Sequence, residues 1–290
     1  MPRWRDGMED GVRWVVTGAN GMLGQDMVAR LAETGAEVVA LGRAELDVTD
    51  EQAARSLLAG ADVVVNCSAY TAVDAAESDE SAAFMVNACG PATLARAAGG
   101  ARLVQVSTDY VFDGHATTPY AEDGPMAPAS AYGRTKAAGE WAARAQHADV
   151  LVVRTAWLYG AGGSCFPKTI ARAAADRGAL DVVADQVGQP TWTADLADLI
   201  VRLVDAGVPA GTYHGTAGGH VSWHGFAQAV VASAGMDPAI VAPTTSDAFV
   251  RPAPRPAYSV LGHQAFDAVG VEPIGDWAER WALAASAVLS

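Results

Sequence analysis

Short apolar runs alternate with longer stretches of helical period through the first half of the chain. Arg13 to Val16, Glu37 to Leu41, Asp62 to Ala69, Ala101 to Val106 and Val150 to Val153 read as strands. The centre of the third, Val63-Val64-Val65, is apolar without alternation, the pattern of a strand covered on both faces. Gln25 to Glu33, Ser81 to Ala98 and the alanine-rich run after Tyr132 read as helices between them. This alternation predicts an α/β fold, a Rossmann-type doubly wound parallel sheet. After residue 160 the pattern loosens. Helices are expected over Phe166 to Arg177, Thr193 to Val204 with Thr193 as the cap, Trp223 to Ala234 opened by Ser222, and Ile274 to Leu289. Strands are expected at Leu180 to Ala184 and Gly211 to Gly215, and a Pro-rich loop over Ala242 to Pro256.

Composition narrows the classes. The chain has 290 residues, 51% of them hydrophobic and 18% charged, enough to bury a substantial core. A net charge of −14 argues against a nucleic-acid surface. No run approaches the ~18 apolar residues of a membrane span, and the leader Met1 to Gly11 lacks the apolar stretch of a signal peptide. Cys67, Cys89 and Cys165 lie far apart with no CxxC pair, and read as reduced, buried thiols of a cytoplasmic protein. The histidines, including His220 and His224, show no ligand spacing beside suitable partners, so no metal is expected.

The first strand runs into Thr17-Gly18-Ala19-Asn20-Gly21-Met22-Leu23-Gly24, a GxxGxxG turn followed by a helix. Glycines there allow a tight turn and close approach to a pyrophosphate, which the helix N-terminus attracts. Strand, glycine turn and helix in this order imply a dinucleotide. Arg43, just past the second strand, can accept a 2′-phosphate, so NADPH is favoured over NADH. Residues 12–160 are then mainly an NAD(P)-binding domain. Residues 161–290 are mainly a smaller C-terminal substrate-binding lobe, with later segments able to return to the sheet.

Tyr132 and Lys136, four apart on one helix, supply candidate acid–base chemistry. An ammonium one turn away is expected to draw the phenol down from its usual pKa near ~10. Thr108, at the end of the strand before, is a candidate hydrogen-bond donor to a carbonyl. Arg251 and Arg255, in the Pro-rich loop, are candidate diphosphate partners.

These blocks resemble the extended short-chain dehydrogenase/reductases, and among them the dTDP-4-dehydrorhamnose reductases. The resemblance is carried by the glycine turn, Val65 to Asp74, Ser107 to Gly114, Tyr132 to Lys136, Arg154 to Gly160 and Gln186 to Thr191. It implies NADPH- or NADH-dependent reduction of the C4 ketone of dTDP-4-dehydro-L-rhamnose, by a monomer or homodimer. By the same resemblance Tyr132 donates the proton, Lys136 tunes it and holds the nicotinamide ribose, and Thr108 bonds the carbonyl. Gly21, Met22 and Leu23 would face the pyrophosphate, Asp47 and Val48 the adenine, and Ser68, Ala69 and Tyr70 the middle of the cofactor, with Gly18 and Asn20 of the turn also candidates for binding it. Thr108, Asp109 and Trp157 would line the sugar pocket; Arg255, from the reading of the Pro-rich loop, is the candidate added to the substrate site. Ser164-Cys165, Tyr258 and Gly262 depart from the family pattern and bear on which deoxysugar is accepted. A 4-ketoreductase of another nucleotide-linked deoxysugar is the alternative. A non-catalytic regulatory subunit is a third, against which the retained Thr108, Tyr132 and Lys136 speak.

Overall fold

The structure, a computed structural model, describes residues 11–290. Most of the leader, read above as no signal peptide, therefore lies outside the described residues. In chain order the first half contains β1 (Arg13–Thr17), α1 (Met22–Ala32), β2 (Glu37–Leu41), α2 (Glu51–Leu57), β3 (Val63–Asn66), α3 (Val73–Ala76) and α4 (Glu80–Phe84). A π-helical turn, Met85–Cys89, joins α4 to α5 (Gly90–Ala97), and β4 (Arg102–Thr108), α6 (Ala131–Gln146) and β5 (Val150–Thr155) follow. The second half holds β6 (Leu158–Tyr159), α7 (Phe166–Arg177), β7 (Leu180–Val183), β8 (Val187–Gly188), β9 (Thr191–Trp192), α8 (Thr193–Asp205) and β10 (Gly211–His214). It closes with β11 (Ala217–Gly218), β12 (Val221–Ser222), α9 (Trp223–Ser233), β13 (Val241–Thr244), α10 (Gln264–Asp267), β14 (Ile274–Asp276) and α11 (Trp277–Leu289).

Six parallel strands form the main sheet in the order β10-β5-β4-β3-β1-β2. The order reverses between β1 and β3, which opens a crevice at their carboxyl ends. Alternate residues face opposite layers. Val16, Val65, Val104, Leu151 and Val153 pack under α1 and α8, while Val15, Val64, Leu103 and Val152 pack under α2, α5 and α6. Both faces are covered, which explains the unbroken valines of β3. A separate core, built on Tyr159, Ile170, Phe226, Val230 and Trp281, joins α7, α9 and α11 beside β7 and β13.

Several expectations need correction. Thr193 does not cap α8; Trp192 holds that position without a side-chain bond, and the Thr193 hydroxyl turns to Asp26 and to the Tyr159 carbonyl instead. The helix expected over Ser81 to Ala98 is broken in register by its π-helical turn. The Pro-rich loop contains β13, which pairs in parallel with β7 at Pro243↔Val182; an edge strand tolerates the missing N–H. Ile274 to Asp276, expected as helix, pairs as β14 with β11. Cys165 is buried, whereas Cys67 and Cys89 are only partly so.

Candidate active site

The glycine turn crosses the carboxyl end of β1 and leads into α1. Gly21 at the N-cap makes no side-chain bond, so the first N–H groups of α1 are left open to an anion. Gly24 has no room for a side chain, since a Cβ there would strike the Gly18 carbonyl and lie 2.7 Å from Ala19 Cα. The contact keeps α1 pressed on β1 and the turn tight.

A cavity of about 580 Å³ lies above this crevice. Asn20, Gly21, Met22 and Leu23 line one wall, Ser68 and Ala69 the next, and Thr108, Asp109, Tyr132, Lys136 and Trp157 the far side. Residues from five separate expectations are thus brought together. Gly18 lies beneath the turn against Cys67 and Ser68. Tyr70 stands behind the wall, its backbone N–H donating to Asn87 Oδ1 at 2.8 Å. Arg43, Asp47 and Val48 lie at the end of β2, outside the cavity lining. Arg43 is exposed, Val48 is buried, and the Asp47 carboxylate is taken by the Thr49 backbone and hydroxyl, which hold it below the usual range.

The Tyr132–Lys136 pair differs from expectation in one respect. Lys136 is buried and its Nζ donates to the Val106 carbonyl at 2.7 Å. Burial lowers Lys136 to about 8, opposed first by the Glu140 charge. Tyr132 is raised above the ordinary phenol value, first by burial and then by the Asp109 carboxylate, with Thr108 opposing. Desolvation dominates, and the depression of the phenol expected from the Lys136 ammonium is absent from the protein alone. Ser130 caps α6 by accepting from the Gly133 N–H at 3.1 Å, which fixes the first turn where Tyr132 sits. The Tyr132 ring also meets Tyr110 edge-on, centroids 5.5 Å apart.

Trp157 has φ of +47°, a left-handed conformation that costs a bulky residue energy and marks a site of constraint. Its indole stacks on Trp223 of α9, centroids 3.5 Å apart and planes within 6°. Gly188 admits the ring: a Cβ there would lie 2.5 Å from Trp157 Cε2. Ser164 lines the same cavity, while Cys165 turns its Sγ to the Gly160 carbonyl, Tyr258 stands against His220, and the Gly262 carbonyl meets buried His214 Nδ1. Arg255 and Arg251 are not free. Both reach Asp74, at 2.8 and 3.7 Å, and Arg255 Nη1 is buried without an acceptor beside a second cavity of about 350 Å³.

Four residues had gone unassigned. Asn87, in the π-helical turn, ties the loop at Tyr70 to Thr135 of α6. Glu140 pairs with Arg154 at 2.8 Å, with both side chains nearly inaccessible, and Ser107 donates to Glu140 at 2.5 Å. Asp74 joins the C-terminal segment to the site through Arg255, and Ser259 of that segment lies beside Asp109. Glu140 was detectable, since it follows Tyr132 and Lys136 at helical spacing on the same face. No cluster that could hold a metal occurs among the described residues. No helix among them is long and apolar enough to cross a membrane.

Fold and site together define a class: a Rossmann-type nucleotide-binding oxidoreductase. The family model described as the RmlD substrate binding domain matches residues 12–289, and the chain belongs to that family. A probable dTDP-4,6-dihydroxy-2-methyloxan-3-one 4-ketoreductase of Streptomyces antibioticus is 52% identical over 92% of each chain. A dTDP-4-dehydrorhamnose reductase of Streptomyces griseus is 51% identical, over 91% of this chain and 90% of its own. The crystal structure of a dTDP-4-dehydrorhamnose reductase from Bacillus anthracis in complex with NADP superposes with a TM-score of 0.91. It is 35% identical and covers 95% of this chain and 99% of that one.

Proposed function

We propose that this protein reduces the C4 ketone of dTDP-4-dehydro-L-rhamnose to dTDP-L-rhamnose with NADPH, in the cytoplasm, as a monomer or homodimer. The observation that carries the reading is the convergence of the glycine turn, Thr108, Tyr132 and Lys136 on one cavity at the sheet's switch point. The relatives' names supply the substrate class. The cofactor fits the residues present, because the uncapped N-terminus of α1 and the glycines of the turn leave room and donors for a pyrophosphate. Bound there, it supplies the hydride.

The chain's own work is to hold the ketone and neutralise its oxygen. Negative charge grows on that oxygen as the carbon is reduced, so a donor poised there favours the transition state over the ground state. Tyr132, its phenol kept protonated by burial, is the donor. Lys136 holds the ribose, and the stacked Trp157–Trp223 pair walls the sugar side. Residues 12–160 chiefly carry the cofactor and 161–290 chiefly the sugar nucleotide, whose diphosphate is met by Arg255.

A second reading, reduction of another dTDP-linked 4-keto-6-deoxysugar, is favoured by the Streptomyces antibioticus relative, named for a different 4-keto substrate. Of the positions that depart from the family pattern, Ser164 faces the cavity. Purified protein given dTDP-4-dehydro-6-deoxysugars with NADPH or NADH, and product identified by NMR, separates the two. Failure to oxidise either nicotinamide with any of these sugars overturns both. Arg43 is exposed at the end of β2. Arg43→Ala is expected to weaken NADPH binding by about 1–2 kcal/mol and NADH little, as loss of a charge-assisted hydrogen bond requires. Binding titrations with each nucleotide check it, and equal losses remove Arg43 from the 2′-phosphate.

A further inference from the structure

Thr108 has one proton to give, and it is committed. The hydroxyl donates to Asp109 Oδ1 at 2.8 Å and accepts from the Tyr110 backbone N–H at 3.2 Å. Held this way, it can offer a ketone only a lone pair. Two buried atoms nearby lack a closed hydrogen bond, Asp109 Oδ2 and Ser259 Oγ. Buried polar atoms are rarely left so, and each such case calls for a reason. Ser259 belongs to the C-terminal segment, which its N–H ties to the Val187 carbonyl at 2.9 Å.

We propose that Asp109 is a positioning residue for the reduction. Its protonation state turns the Thr108 hydroxyl toward the carboxyl or toward the reacting oxygen, and Ser259 sets the balance. The proposal rests on the reductase reading of the same site. With the carboxyl neutral, its O–H donates to Thr108 Oγ1, and the Thr108 proton is released to the ketone oxygen beside Tyr132. With the carboxyl ionised, Thr108 turns back and Tyr132 is the lone donor. Hydrogen bonds are redirected, and no proton leaves Asp109 during turnover.

Burial pushes the Asp109 carboxyl up to about 6, opposed first by Ser259 and then by Thr108. The titratable and charged groups around the Asp109–Tyr110 segment are Tyr110 itself, Tyr132 and Lys136 from α6, and, beside Tyr110, Arg255 from the C-terminal segment and Asp74 from α3. The two cations are engaged elsewhere. Arg255 pairs with Asp74 at 2.8 Å and Lys136 bonds the Val106 carbonyl at 2.7 Å, so neither is bonded to the carboxylate.

The test is kcat for ketone reduction by the full chain with NADPH and dTDP-4-dehydro-L-rhamnose, measured on either side of about pH 6. The wild-type protein is expected to show a step, kcat falling as pH rises through the carboxyl's titration. Its size is bounded by the ~10²–10³-fold that one oxyanion donor contributes. Asp109→Asn abolishes the step. Ser259→Ala moves it to higher pH, because a group favouring the ionised form is gone. A step that survives Asp109→Asn, or stands unmoved in Ser259→Ala, overturns the proposal. A protein that turns over no keto sugar sinks the reductase reading instead. Infrared titration of the Asp109 carboxyl, taken as wild type minus Asp109→Asn, then decides the coupling. Thr108→Val must raise that carboxyl's pKa, and an unchanged value overturns it.

Discussion

Tyr132→Phe is expected to lower kcat by about 10²–10⁴-fold, the contribution of a positioned proton donor, with cofactor affinity changed by less than about twofold because the ring's packing is kept. The phenol stands above its ordinary value, through burial first and the Asp109 carboxylate second. At neutral pH it is therefore protonated, the form that reduction consumes and that the reverse oxidation, needing phenolate, cannot use. The ring leans on Tyr110 and the backbone is held by the Ser130 cap, neither of which involves the hydroxyl. The variant should fold and bind nucleotide normally. Steady-state kinetics beside a nucleotide titration separate the two effects, and undiminished kcat would take Tyr132 out of the chemistry.

The second large effect concerns stability. Arg154→Met should destabilise the protein by about 3–5 kcal/mol, because it leaves Glu140 charged, buried and uncompensated. Glu140 is 0% and Arg154 3% exposed, and they meet through two bonds of 2.9 and 2.8 Å. Arg154 further donates to the Glu122 carbonyl at 3.1 Å and lies 5.0 Å from the Phe112 ring centroid. For a chain of this size the loss corresponds to a fall in Tm of about 5–8 °C. Removing both charges, Glu140→Leu with Arg154→Met, should cost less than Arg154→Met alone, since no stranded charge remains. Thermal unfolding of wild type, single and double variants reads this directly; a double variant less stable than the single would show that the pair is worth more than its desolvation. Glu140 also opposes the burial that depresses Lys136, so the double variant, which removes Glu140, is expected to carry an activity cost as well.

How far the sequence reveals this arrangement differs by element. β2 and α7 have the bounds their apolar pattern indicates, Glu37–Leu41 and Phe166–Arg177, because each obeys one period from end to end. α2 escapes notice, since seven residues give a period too few turns to repeat, although Asp50 caps it by accepting from the Ala53 N–H. The π-helical turn at Met85–Cys89 leaves no period of its own, and its purpose appears only in space, where Asn87 bonds Tyr70 and Thr135 together. β13 hides among prolines because pairing with β7 is decided by distant residues. At the site, the glycine turn and the Tyr–Lys spacing were legible as local motifs. The commitment of Thr108 to Asp109, of Lys136 to Val106 and of Arg255 to Asp74 was not, since each depends on which partner burial makes available.

β10 lies at the edge of the main sheet, its Gly211–His214 paired with Leu151–Arg154 of β5. The strand that seals that flank is thus supplied by residues lying beyond β6 through α8 in the chain. During synthesis β5 emerges with one row of amides and carbonyls unclaimed, and it stays so until the later strand leaves the ribosome. Through that interval the nascent protein carries a sticky flank built of Val150, Leu151, Val152 and Val153, and its protection depends on how quickly the rest of the polypeptide arrives.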